Sequence, residues 1–226
     1  FTVGRRIFDC YRLEGTYLGH YNWEDSVIVT NSGLNAAGST GNLSSFLSGF
    51  ADPIDLGLDA NDTVAISFRS SLESAEINLR YWVDMPPGPL DVSYLIGARY
   101  FSLRENFAFL STSVEPAPGG TTNNLDIRTD NDLWGLQIGI EFACLVSTRW
   151  WVDVDLKGGV YNNDARQETV FVSNGATSLV TASGDRTAWI GDISILGNWQ
   201  ITPYFHFKIG YQALFVNGVA LAQNQT

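Results

Sequence analysis

The chain lacks any run of about 18 consecutive apolar residues, the length a helix needs to cross a bilayer, so a helical membrane protein is excluded. It is also short of positive charge, with 13 Lys and Arg against 24 Asp and Glu and a formal net charge of -11. Neutralising phosphates needs a basic surface, so this balance argues against a nucleic-acid partner. Cysteine and histidine are scarce: Cys10, Cys144, His20 and His206 offer no spacing such as Cys-x-x-Cys, and neither a metal site nor a cofactor is expected. Cys10 precedes the first long strand and Cys144 falls in the fourth, so a simple meander does not bring them together. No Ser-His-Asp order, phosphate-cradling glycine loop or nucleophile elbow stands out, and an enzyme is not expected. The chain starts at Phe1 with no visible leader segment and no initiator Met, as expected of a processed chain or of one cut from something longer.

Aromatic residues and strict alternation are abundant. Hydrophobic residues make up 45% of the chain and aromatic residues 13%. From Trp150 to Tyr161, Trp150, Val152, Val154, Leu156, Gly158 and Val160 share one face, while Asp153, Asp155 and Lys157 share the other. That period of two belongs to a β-strand. Two architectures fit it: a barrel in lipid with the oily face outward, or a soluble ligand-binding barrel resembling lipocalins, with the oily face inside.

The same reading predicts seven strands, at 11–29, 64–83, 90–103, 133–146, 150–161, 187–200 and 203–216. The connections alternate: 31–62, 111–131 and 162–185 are long and polar, whereas 84–88, 147–149 and 201–202 are short. Outer-membrane barrels have this asymmetry. With the first strand oriented away from the short turns, Tyr11, Tyr81, Tyr94, Trp150, Trp199 and Phe205 fall near the turns, and Trp23, Trp134, Trp189 and Phe215 near the long loops. Trp189 and Trp199 are ten positions apart, about 25 Å along the membrane normal for a strand tilted near 40°. The expected fold is therefore all-β, an antiparallel up-and-down transmembrane β-barrel forming one domain over residues 1–226. Because seven strands cannot close in the usual even-numbered way, an eighth, closing strand is expected to be missing beyond Thr226. The alternative partner is a piece of Phe1 to Arg6 or of Asn42 to Phe50.

Opposite the apolar faces lie Arg12, Glu14, Glu76, Arg80, Arg99, Gln137, Glu141, Asp153, Asp155, Lys157, Asp192, His206, Lys208 and Gln212. Turned inward in a small barrel, whose interior is only wide enough for side chains, these charges must be paired and hydrogen-bonded. The expectation is a largely filled, salt-bridged lumen. Asp153 and Asp155 are about 7 Å apart at strand spacing, within reach of paired-carboxylate chemistry, but Lys157 continues their row and the ion-network reading is preferred. Asp52, Asp55, Asp59 and Asp62 lie in a loop without Lys or Arg and could offer calcium hard oxygen ligands; they lack the ordered spacing of a calcium loop, and a solvated acidic loop is the preferred reading. Leu43 to Phe50 is apolar enough to pack on the mouth as a lid.

Particular words then stand out. Gly4-Arg5-Arg6 with Phe8-Asp9-Cys10-Tyr11, Glu76-Ile77-Asn78-Leu79-Arg80, Gly97-Ala98-Arg99-Tyr100-Phe101 with Glu105, the run from Asn131 to Gly139, Lys157 to Asn163, and Gly218-Val219-Ala220-Leu221-Ala222 resemble the planctomycete outer-membrane β-barrel family. The resemblance implies a bacterial outer-membrane barrel with no enzymatic activity to carry over. The expected role is structural or interactive, with lipid around the barrel and envelope proteins met through the long loops; a small-solute pore is the alternative.

The facing is testable. Val154→Asp puts a charge on the expected lipid face, where the midplane cost reaches roughly 2 to 4 kcal/mol for a base and less for an acid. It should impair membrane insertion more than Asp153→Ala impairs folding, as read by heat-modifiable migration of the reconstituted chain.

Overall fold

Alternation at period two persists well past the segments that look like strands by composition, and it pairs in register. The computed structural model describes residues 2–31, 43, 61–86, 88–113, 120–202 and 205–222, with only the backbone of His20 and His206. Eight strands follow one another: β1 (Thr2–Phe8), β2 (Tyr11–Thr30), β3 (Thr63–Trp82), β4 (Leu90–Ser113), β5 (Thr121–Ser147), β6 (Trp150–Ser173), β7 (Ala176–Thr202) and β8 (Phe205–Asn217). They form one antiparallel sheet in the order β1 to β8, and no α-helix occurs among the described residues.

The seven expected strands correspond to β2 through β8. An eighth strand, β1, comes from the Phe1-to-Arg6 end of the chain and pairs with β2. The sheet is not closed, because β1 and β8 are its two edges. It is nevertheless strongly curled. A flat sheet would hold β3 and β6 three spacings apart, about 14 Å. Yet Lys157 Nζ on β6 lies 3.3 Å from Glu76 Oε2 on β3, and Arg99 Nη1 on β4 lies 3.6 Å from Asp192 Oδ2 on β7.

The curl gives the sheet an inside and an outside. Leu136, Ile138 and Ile209 point outward and are 70%, 67% and 66% exposed, whereas Arg99 and Gln137 point inward at 2% each. The apolar face is the outer one, the reverse of a soluble ligand-binding barrel.

Two expected long connections are mostly strand. β5 begins at Thr121, and β6 and β7 run on to a two-residue turn at Asn174-Gly175. Both turn residues have positive φ, 48° and 85°, as tight hairpins of this hand require. Their Asn, Thr and Asp content reads as loop, but the alternation continues underneath: Asn123, Leu125, Ile127, Thr129 and Asn131 are buried while Asn124, Arg128 and Asp130 are exposed. In the third long connection, Asp52, Asp55, Asp59 and 44–50 lie outside the described residues, and so do the calcium and lid readings; Leu43 is bridged to Asn61.

β5 and β7 have 27 residues each. At about 3.3 Å per residue and a tilt near 40° they reach roughly 70 Å, far more than an apolar band of about 25 Å. The upper parts of the strands carry exposed ion pairs instead, such as Arg69 with Glu24 and Arg166 with Asp164.

Gly135 on β5 is opposite Tyr161 on β6, and a Cβ there would overlap the Val160 carbonyl oxygen and press on the Tyr161 ring. Gly158 faces open space. Gly135→Ala should therefore cost about 1–3 kcal/mol through overpacking, while Gly158→Ala should stay within about 0.5 kcal/mol, compared by urea unfolding midpoints in micelles.

Candidate functional site

Inward positions recur at every second residue, and the antiparallel register stacks them across β2 to β7 at shared heights. Arg80 pairs with Arg12 on one side and Leu95 on the other, then come Gly139, Lys157 and Asp192 along the same row. Glycine at several inward positions leaves space for long charged chains; a Cβ on Gly97 would overlap the Asn78 side chain.

Two connected clusters result. In the lower one, Arg80 Nε donates to Glu14 Oε2 at 3.0 Å, and its Nη1 donates to Glu141 Oε2 at 2.8 Å and to Ser93 Oγ at 2.9 Å. Arg12 Nε lies 3.5 Å from Glu14 Oε1. In the upper one, Arg99 Nη1 sits between Glu76 Oε1 at 3.5 Å and Asp192 Oδ2 at 3.6 Å, and its Nε donates to Ser74 Oγ at 2.8 Å. Lys157 Nζ lies 3.3 Å from Glu76 and 3.7 Å from Asp155. Gln137 donates to Glu76 and to Asn78 Oδ1 and accepts from the Tyr161 hydroxyl, while Gln212 donates to Asp192. The side chains of Arg99, Asp192 and Glu76 are only 1%, 3% and 5% exposed.

The structure thus brings together Arg12, Glu14, Glu76, Arg80, Arg99, Glu141, Asp155, Lys157 and Asp192. Asp153 stands apart from this group and accepts from Asn198 Nδ2 at 2.8 Å. Asp153 and Asp155 therefore serve different partners and do not converge as an acid–base pair. Lys208 is exposed on the edge strand β8 and has no ion pair among the described residues; the side chain of His206 lies outside them. Arg99 Nη2 and Asp155 Oδ1 are buried without a hydrogen-bond partner among the described residues, while Ser74, Asn78, Ser93 and Asn198 add further hydrogen bonds. Their inward parity is legible in the sequence, but uncharged side chains gave no reason to single them out.

The interior is not polar throughout. Above the charges, Phe101, Leu133, Tyr161, Ala188 and Ile190 form a buried apolar layer, with the Arg99 guanidinium 5.6 Å from the Phe101 ring centre. Higher still, Phe109, Leu125, Ile127 and Ala222 form a second one.

The outward aromatics fall into two rows. Near the short turns, Tyr11 meets Tyr81 at 5.1 Å and Trp150 stacks on Trp199 at 5.0 Å, with Tyr94 and Phe205 also exposed. Toward the long hairpins, Trp134 packs on Tyr100 at 4.3 Å, with Trp189 and Phe215 exposed. Trp23 is a correction. The register of β2 against β3 slips between Leu18 and Tyr21, after which Trp23 pairs with Ser70 on the inner face and lies against Tyr21. A bulge reverses the alternation beyond it, and unbroken counting through Gly19 and His20 put Trp23 on the wrong side.

At the upper end the chain turns inward after β8 at Gly218, φ 83°. Asn163 Nδ2 donates to the Gly218 carbonyl at 3.1 Å; Asn131 both donates to the Ala220 carbonyl and accepts its N–H, each at 2.7 Å. The Ala222 N–H donates to Glu105 Oε2 at 3.0 Å. Glu105 lies five residues above the Tyr100 row, and its burial pushes the carboxyl pKa up, partly offset by the Ala222 N–H.

Removing a cation from the interior should be costly. Arg99→Leu leaves Asp192 without its cation and Glu76 with Lys157 alone, and should destabilise by about 3–5 kcal/mol, whereas Arg69→Leu, at an exposed pair, should cost at most about 1 kcal/mol. Denaturant titration of the two variants in micelles compares them.

No curated protein matches the chain. The family model described as Putative beta barrel porin-7 (BBP7) matches residues 58–226, which takes in β3 through β8 and every member of the upper ion cluster. With well over half of its length matched, the chain belongs to this β-barrel porin family.

Proposed function

We propose that the chain is a bacterial outer-membrane β-barrel protein with a structural or interaction role, its lumen closed by its own side chains. The observation that carries this reading is the Arg99 guanidinium, 1% exposed and held between carboxylates from β3 and β7. Side chains from opposite walls meet at mid-height, so a permeating solute would have to displace buried, paired charges. The outer face supports a lipid environment: exposed apolar side chains lie between two rows of aromatics, the arrangement that suits a bilayer core and its two interfaces. A soluble barrel with an apolar interior does not fit that facing. Above the upper aromatic row, long hairpins with exposed charges on their outer face offer a surface for other envelope proteins. The acid surplus disfavours nucleic acid, and no role as an enzyme is proposed, since the inward carboxylates are spent on ion pairs and amides.

The family description favours a second reading, a small-solute pore. Planar-bilayer recording of the reconstituted chain separates the two. The packed lumen predicts no reproducible conductance steps, and a stable open channel would overturn it in favour of the pore.

A further inference from the structure

The contacts of residues 218–222 have the form of peptide recognition rather than of a passive tail. Asn131 reads both backbone groups of Ala220 through one amide, with its Nδ2 donating to the carbonyl and its Oδ1 accepting the N–H. Asn163 is locked in place by donating to Asn131 Oδ1 at 3.0 Å and also donates to the Gly218 carbonyl. Glu105 accepts the Ala222 N–H. The two asparagines are fully buried with the segment in place, and the hydrogen bond between them orients both amides independently of the segment, which lowers the ordering cost of binding. Every polar contact is to backbone. Side chains are judged by size: Ala222 is fully buried among Phe109, Leu125 and Ile127, and a larger residue would meet those rings and branches directly.

We infer that the upper lumen contains a peptide-backbone clamp, made by Asn131, Asn163 and Glu105, which accepts a peptide segment with a small residue at the Ala222 position and is occupied in cis by Gly218 to Ala222. The partner chemistry it fits is a peptide with a small apolar residue at the position of Ala222, entering from the long-hairpin side. The tether to β8 keeps the internal segment at an effective concentration of about millimolar, so a peptide in trans competes only when that segment is released. Gly218 is the release point. A Cβ there would lie 2.7 Å from the Thr187 carbonyl oxygen and 2.9 Å from Ala188 Cα, at a positive φ that side-chain-bearing residues disfavour. Gly218→Val therefore withdraws the segment without altering any residue of the clamp.

The test uses the full chain in micelles, amide hydrogen exchange at Ala220 and Ala222, and a fluorescent peptide of sequence Asn-Gly-Val-Ala-Leu-Ala. The unaltered chain should protect both amides and bind the peptide weakly. Gly218→Val should lose protection at both amides, keep it in β5 and β6, and bind the peptide at least tenfold more tightly. Adding Asn131→Ala should abolish that gain, and a peptide with Leu in place of its final Ala should not bind. Unprotected amides in the unaltered chain, or a released variant that gains no affinity for the peptide, would overturn the clamp. Neither outcome bears on whether the lumen conducts, so this proposal and the packed-lumen reading fail separately.

Discussion

Arg99 cannot shed its charge, because a guanidinium stays protonated in a folded protein, and it has almost no contact with solvent. It must therefore meet carboxylates, and those nearest its guanidinium are Glu76 on β3 and Asp192 on β7. That requirement curls the sheet, since β4 and β7 touch only when their inner faces turn toward each other. It also fixes the register. A slip of β4 by one residue would turn all its side chains over, sending Arg99 outward, away from Glu76, and burying Ile96 and Ala98 in its place. The pairing of inner charges and the exposure of the outer apolar rows are two results of one constraint.

The inner face has three levels. Ion pairs occupy the lower and middle part, an apolar layer around Phe101 and Leu133 lies over them, and the segment after β8 crosses above that layer. Each level shields the one beneath from water, and a lower local dielectric strengthens the ion pairs it covers. The asparagines at the top belong to this scheme. Their amides take the Gly218 carbonyl and both backbone groups of Ala220 as partners, which joins residues 218–222 to the wall.

Much of this was legible in the sequence. The charged residues from Glu76 to Asp192 were readable because alternation assigns a face and mixed signs imply pairing. The strand from Trp150 to Tyr161 needed nothing more. Three features escaped for physical reasons. Beyond the aromatic rows the outer face of a strand no longer needs to be apolar, so Asn123 to Asn131 and Asn162 to Ser173 have the composition of loops while keeping the hydrogen bonding of strands. The bulge in β2 changes parity without any residue that announces it, and so misplaced Trp23. The clamp at Asn131 and Asn163 depends on a residue 89 positions further along the chain for the first asparagine and 55 for the second, a separation that no local pattern encodes.

The central claim is that one face of each strand meets lipid while the other packs into a charged interior. Spin labels placed singly from Val152 to Lys157 in the reconstituted chain test it most directly, through collision with oxygen, which partitions into the bilayer, and with a water-soluble nickel chelate. The account predicts a period of two, with oxygen accessibility highest at Val152, Val154 and Leu156 and lowest at Asp153, Asp155 and Lys157. The opposite phase, or nickel accessibility that is high and even across all six positions, would contradict it.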